Sequence, residues 1–190
     1  MKSKDGFELN QKAGSVPVLR IVGTIKNNVK APFLSAGHNG INMQGEINEV
    51  RREIRKQRGY VSDIIIDEEL IRTLDGIEGF SHLIVLYWGH KVPEKSRHLT
   101  RVHPMGRKEL PLTGIFSTCS PARPNPLLLT VVRLLERKDN ILKVADLDAV
   151  DGSPVIDIKP YLKDSYCLED STTPGWMSKL IEEIREKEKE

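Results

Sequence analysis

The chain has 190 residues, 38% hydrophobic and 29% charged, enough to bury one core as an ordinary domain. Lys and Arg number 29 against 27 Asp and Glu, and a net charge of +2 is too small to demand a nucleic-acid partner, so the local distribution of charge has to decide that question. Cys119 and Cys167 form no C-x-x-C pair, the opening "MKSKDGFELNQK" lacks the apolar stretch of a signal peptide, and no apolar run approaches the ~20 residues that span a bilayer. The expectation is a soluble cytoplasmic protein with no disulfide framework, no metal and no membrane span.

In chain order, residues 1–16 read as a tail. "PVLRIVGTI" (17–25) is β-branched and alternating, which predicts a strand with Leu19, Ile21, Gly23 and Ile25 on one side and Arg20 and Thr24 on the other. "EINEVRREIRKQR" (46–58) predicts a basic helix, with Ile47, Val50 and Ile54 on one face and Arg51, Arg52, Arg55, Lys56 and Arg58 across much of the rest. Two readings of it stay open: a solvated face with Glu46, Glu49 and Glu53 as counterions, or a surface that contacts phosphates. "FSHLIVLYW" (80–88) is almost continuously apolar and predicts a strand buried on both faces or lying at a subunit contact. His90 and Lys91 follow where that strand runs out.

The next segment, "GIFSTCSPARPNPLLLT" (114–130), holds Pro121, Pro124 and Pro126 within six residues, framing Arg123 and Asn125. Proline fixes φ and pushes the preceding residue toward extended backbone, so the loop is stiff and its side chains are aimed in advance. "LLLTVVRLLER" and "NILKVADLD" flank the polar turn "KDN" as an antiparallel hairpin, and "DGSP" turns the chain into the strand "VIDIKPYL". Five or six strands with short turns and little helix predict a mainly β fold: a small antiparallel barrel, closed or nearly closed, with a few peripheral helices over residues 17–165. Residues 166–190 read as a docking helix with a charged tail, Thr173 as N-cap, Pro174 at the first helical position, and Trp176, Leu180, Ile181 and Ile184 as its apolar stripe.

The usual nucleotide and hydrolase signatures are missing: there is no G-x-G-x-x-G after a strand, no G-x-x-x-x-G-K-[ST] and no G-x-S-x-G. None of the five histidines, His38, His82, His90, His98 and His103, pairs at metal-ligand spacing. Asp151-Gly152 is an ordinary turn former, and Asp157 and Lys159 can pair on an outer strand face. Asp148 is placed differently, ending an apolar strand where a carboxylate accepts from a ligand's ammonium or hydroxyls.

"LDGIEGFSHLIVLYWGH", "HPMGRKELPLTGIFSTCSPARPNP" and "LDAVDGSPVIDIKPYL" together resemble the TrmO family, also called YaeB, TsaA-like or VirR-like, across roughly residues 17–162. The resemblance implies a TsaA-like β-barrel that acts as a tRNA (adenine-37) N6-methyltransferase. It further implies S-adenosylmethionine as methyl donor, a homodimer with the donor near the subunit contact, and N6-threonylcarbamoyladenosine 37 of tRNA as acceptor. Carried over by position, the donor site takes His90, Lys91, Leu129 and the run Ala145, Asp146, Leu147 and Asp148. Cys119 stands where the family pattern has arginine, Leu128 where it has glycine, and "AGHNG" (36–40) where it has "PRQ", leaving His38 and Asn39 as candidate donors there. Arg123 and Asn125 are the expected catalytic contacts to the acceptor, Arg123 meeting phosphate or a base carboxylate and Asn125 accepting from N6; the competing expectation is a structural salt bridge from Arg123 to Asp151 or Asp157. The alternative function is a non-catalytic RNA- or ligand-binding regulatory member of the same family.

Overall fold

Short strands rich in Val, Ile and Leu leave rows of unpaired backbone groups at a sheet's edges, and closing the sheet removes them. The computed structural model describes residues 18–31, 34–37, 40–43 and 60–186. Its strands are β1 (Gly23–Lys26), β2 (Leu34–Gly37), β3 (Gly40–Met43), β4 (Val61–Ile66), β5 (His82–Trp88), β6 (Arg101–Val102), β7 (Thr113–Gly114), β8 (Leu127–Lys138), β9 (Ile141–Ala145) and β10 (Pro154–Pro160). Six of them close an antiparallel barrel in the order β1-β10-β5-β8-β9-β4, while β2-β3 and β6-β7 form two small hairpins.

The predicted hairpin is present, with Asp139 in the turn at positive φ. β8 serves two neighbours: Leu127 to Arg133 pair with β5, and Arg133 to Lys138 pair with β9, with a register shift between Leu134 and Glu136. Such a bulge bends a strand, which is how one strand passes around a small barrel. Ile25, Ile64, Leu83, Val85, Val132, Leu142, Val144 and Val155 fill the interior with no exposed surface. Leu74 closes one end, and Leu147 with Ala149 closes the other.

The first predicted strand is shorter than its pattern. It begins at Gly23, and Val18, Leu19 and Ile21 lie exposed, because β4 ends at Ile66 and a 3-10 helix, Glu68–Leu74, takes over on that side. Arg20 instead pairs with Glu69 at 2.6 Å outside the sheet. This far end is acidic, with Asp67, Glu68, Glu69, Asp75 and Glu78 against Arg72 in residues 67–79, and Arg137 ties it down through the Leu74 carbonyl at 2.8 Å and Glu78 at 3.2 Å.

At the C-terminus, α1 (Lys163–Tyr166) precedes α2 (Gly175–Glu186). Leu180 is buried and Trp176 and Ile181 are half-buried, as the stripe predicts. The cap sits one residue later than expected: Pro174 offers its carbonyl to Met177 and Ser178, and the Thr173 hydroxyl pairs with that of Ser178 at 2.9 Å. An ion pair from Arg107 to Glu183 at 2.7 Å fastens α2 to the body. Asp157 and Lys159 do pair on the outer face, at 2.7 Å. The basic segment 46–58 lies outside the described residues, as do His38 and Asn39.

Gly23 sits at the closing seam, opposite Val155 of β10 and Ile66 of β4. A Cβ there would collide with the Ile65 carbonyl oxygen. Gly23→Ala is expected to cost ~1–3 kcal/mol by overpacking the seam and to lower the melting temperature by roughly 3–10 °C, measured by calorimetry.

Candidate functional site

Antiparallel pairing brings the ends of β5, β9 and β1 and the starts of β8, β10 and β4 to one rim of the barrel. His90 and Lys91 stand there, just beyond Trp88. β9 ends at Ala145, so Asp148 lies in the loop that follows rather than at a strand end. Within "ADLDA", Ala145, Leu147 and Ala149 are buried, which turns Asp146 and Asp148 outward. Ala145 and Leu147 can therefore offer a ligand only their backbone. Asp146 has φ of 67°, a left-handed conformation that is costly for a non-glycine residue and that re-aims the chain at this point.

Two residues that the sequence analysis did not single out hold this loop. The Tyr87 side chain points into the barrel, and its hydroxyl donates to the Asp148 carbonyl from below, with the Thr130 hydroxyl at 3.3 Å. Burial pushes the Tyr87 phenol far up, so it stays a donor. Asn27 works from the side: its side-chain amide donates to the Ala149 carbonyl at 3.0 Å and to the buried Ser62 hydroxyl at 3.2 Å, and its backbone N–H donates to Asp151 at 2.9 Å. The Val29 N–H donates to the Asn27 carbonyl oxygen of the side chain at 3.0 Å. Asp151, held low by Lys30 at 2.7 Å and by that N–H, begins a true turn with Gly152 at φ 79°.

Asp148 has a different setting. Its carboxylate has no partner among the described residues, and solvent still reaches it, yet protein crowds it densely enough that burial raises its pKa above the ordinary carboxylate value. His90, across the rim, places Nδ1 3.1 Å from the buried Ser153 hydroxyl, and burial followed by the Lys91 charge lowers its pKa, favouring the neutral imidazole. Lys91 is exposed. Leu129 lies apart, 60% exposed on the outer wall of β8 opposite Leu86.

The proline loop is fastened to the same rim, because Gly89 donates to the Pro126 carbonyl at 2.8 Å. A Cβ at Gly89 would press within 3.3 Å of that oxygen and of Leu128, so Leu128 fills space beside the turn. Arg123 meets neither Asp151 nor Asp157: its Nε donates to the Ser120 carbonyl at 2.9 Å and its Nη2 to the Thr118 carbonyl at 2.6 Å. The expected salt bridge is thus replaced by a clamp on the loop's own backbone, which shapes the turn carrying exposed Cys119. The Asn125 side chain is exposed and its backbone carbonyl accepts from Leu127 at 2.7 Å.

Between β5 and the proline loop, residues 90–108 form a basic excursion with Lys91, Lys95, Arg97, Arg101, Arg107 and Lys108 against Glu94. The Arg97 guanidinium stacks over Trp88 at 5.5 Å, and its Nε is buried without a hydrogen-bond partner.

A closed six-stranded antiparallel barrel thus carries His90, Lys91 and Asp148 at one rim, beside a basic excursion. Residues 44–167 match the tRNA-methyltransferase O N-terminal domain, and the chain belongs to that family. An S-adenosyl-L-methionine-binding protein of Archaeoglobus fulgidus is 44% identical over 140 residues, covering 74% of this chain and 88% of its own. The tRNA (adenine(37)-N6)-methyltransferase of Escherichia coli is 43% identical over 101 residues, which is 51% of this chain and 43% of that protein. The crystal structure of TrmO from Pseudomonas aeruginosa shares the fold, with a TM-score of 0.61 at 22% identity over 87% of this chain and 63% of that one. The chain therefore spans less than half of the first enzyme and under two thirds of the second.

The raised pKa of Asp148 carries a stability consequence. A carboxyl whose pKa is higher in the fold than in the unfolded chain destabilises the protein above that folded pKa, and the penalty vanishes below the ordinary value of 3.8. Asp148→Asn is expected to raise the neutral-pH melting temperature slightly, by ~1–2 °C, with the gain disappearing as the pH falls through the carboxylate range. Thermal scans of both proteins between pH 3 and 7 measure it.

Proposed function

We propose that this protein is an S-adenosylmethionine-dependent tRNA methyltransferase acting on N6 of (threonylcarbamoyl)adenosine 37. The observation that carries the reading is Asp148: a partner-free carboxylate crowded by protein, in a rim loop held by Tyr87 and Asn27, in a chain of the tRNA-methyltransferase O family.

The donor set suits the molecule. S-adenosylmethionine, when bound, supplies an electrophilic methyl carbon on a sulfonium, together with an ammonium, a carboxylate, ribose hydroxyls and adenine. Asp148 accepts from the ammonium or hydroxyls, Lys91 faces the carboxylate, and the neutral His90 accepts or donates through the ring nitrogen not facing Ser153. The backbone of Ala145 to Asp148 offers further polar groups, and Leu129 gives apolar surface. Transfer to N6 is an in-line displacement that depends chiefly on positioning. Asn125 is presented on a loop that cannot move far and accepts from N6. Arg123 spends one edge of its guanidinium on that loop and turns its Nη1 edge to a phosphate or base carboxylate.

Calorimetry is expected to show donor binding at micromolar to sub-millimolar affinity, about −5 to −8 kcal/mol, weakened tenfold or more in Asp148→Ala. Arg123→Ala is expected to lower tRNA methylation at least tenfold, roughly 1.4 kcal/mol. No heat at millimolar donor would sink the enzyme reading and leave a binding protein.

We further propose a homodimer through the outer face of β8, where Leu129, Val131 and Leu135 are 60%, 41% and 41% exposed beside Leu86. This places Leu129 against both the partner and the donor. Sedimentation velocity is expected to show a dimer for the native chain and a monomer for Leu129→Glu.

A further inference from the structure

The exposed aromatic beside the rim has no structural task. Phe116 is 79% exposed, and its ring takes no part in the second small core, which is built from Val102, Ile115 and Leu99. It is nonetheless held firmly. The 3-10 turn Ile115–Ser117 is fixed by buried Ile115, by the Ile115 N–H donating to the Thr100 carbonyl at 2.9 Å, and by the Thr118 hydroxyl donating to the Ile115 carbonyl at 2.8 Å. Holding an apolar ring rigidly in water costs hydration without packing in return, unless something covers it.

What covers it is indicated by charge. The turn joins the basic excursion 90–108 to the clamped loop that carries Cys119 and Asn125. Of the excursion's cations, Arg107 is committed to Glu109 and Glu183. Lys95 and Lys108 are exposed with no acidic partner among the described residues, and Arg97, stacked over Trp88 and donating through Nη2 to the Val92 carbonyl at 3.4 Å, has none there either. Cations without counterions on the excursion, and an exposed ring on a turn tied to that excursion at Thr100 and Arg101, suit one occupant: single-stranded RNA, whose phosphates meet the cations and whose unstacked base meets the ring.

We propose that Phe116 is a base-stacking residue that receives an unpaired nucleobase of the RNA substrate, while Lys95, Arg97 and Lys108 take the adjoining phosphates. This rests on the tRNA-methyltransferase reading and adds to it the surface that orients the acceptor loop. Phe116 acts as a positioning residue: it stacks on a nucleotide and takes no part in methyl transfer.

The test is fluorescence anisotropy with a labelled anticodon stem–loop RNA, run without donor, beside donor calorimetry. Phe116→Ala is expected to weaken RNA binding roughly 5- to 100-fold, with donor affinity and the salt slope unchanged. Phe116→Trp is expected to keep the affinity and to show indole quenching by RNA. Lys95→Ala is expected to reduce the salt slope by about 1. Native RNA affinity in Phe116→Ala overturns the proposal; if that variant also sediments as a monomer, the ring is a subunit contact. A native protein that binds donor but no RNA overturns the stacking role and leaves donor binding standing. RNA held through Phe116 without donor binding removes the enzyme reading instead.

Discussion

β1 contributes four residues, yet it is bonded to β10 on one side and to β4 on the other, and without it a five-stranded sheet would present two open edges. Closure does more than protect those edges. It gathers every loop into two sets, one at each end, so the residues after β5 and β9 and before β8 and β10 share a rim although they lie up to 63 positions apart, as His90 and Ser153 do. Glycine at position 23 lets the seam close without strain, since the Ile65 carbonyl occupies the space a Cβ would need.

The rim is then fixed from within. Tyr87 belongs to the core by its ring and to the site by its hydroxyl, so barrel packing and the height of the Asp148 loop are set by one side chain. Asn27 does the same from β1, reaching β4 through Ser62 and the loop through Ala149. The two anchors are independent, and together they hold a crowded carboxylate that the fold gains nothing from. The proposed donor site thus lies where the scaffold is stiff enough to carry a group that opposes folding.

Much of this was legible in the sequence. A continuous apolar run marked β5, polar turns marked β8, β9 and β10, and the prolines marked the stiff loop. The start of β1 was not legible, because Leu19 and Ile21 continue the alternation while their would-be partner strand has already ended. Asp148 was read as ending an apolar strand, and it lies three residues past that strand's true end. Asn27 was invisible: a single asparagine has no periodicity, and its partners lie 35 and 122 positions away. Tyr87 did carry a signal, since a phenol in a continuously apolar strand must find an acceptor when buried. Arg123 was recognisable by type, but nothing in its spacing distinguishes an aspartate partner from the carbonyls three and five residues behind it.

Charge is unevenly spread, with Lys91, Lys95, Arg97, Arg101, Arg107 and Lys108 against Glu94 in residues 90–108 beside the rim, and Asp67, Glu68, Glu69, Asp75 and Glu78, only partly offset by Arg20, Arg72 and Arg137, at the opposite pole. A net charge of +2 conceals that separation. In the field of a polyanion such a body feels a torque as well as a weak pull, and it turns rim-first before contact. On the proposed tRNA reading its encounters with the substrate are therefore pre-aligned, and dissolved salt slows productive capture by erasing the torque at ranges beyond about 8–10 Å, even while the contacts made at closest approach persist.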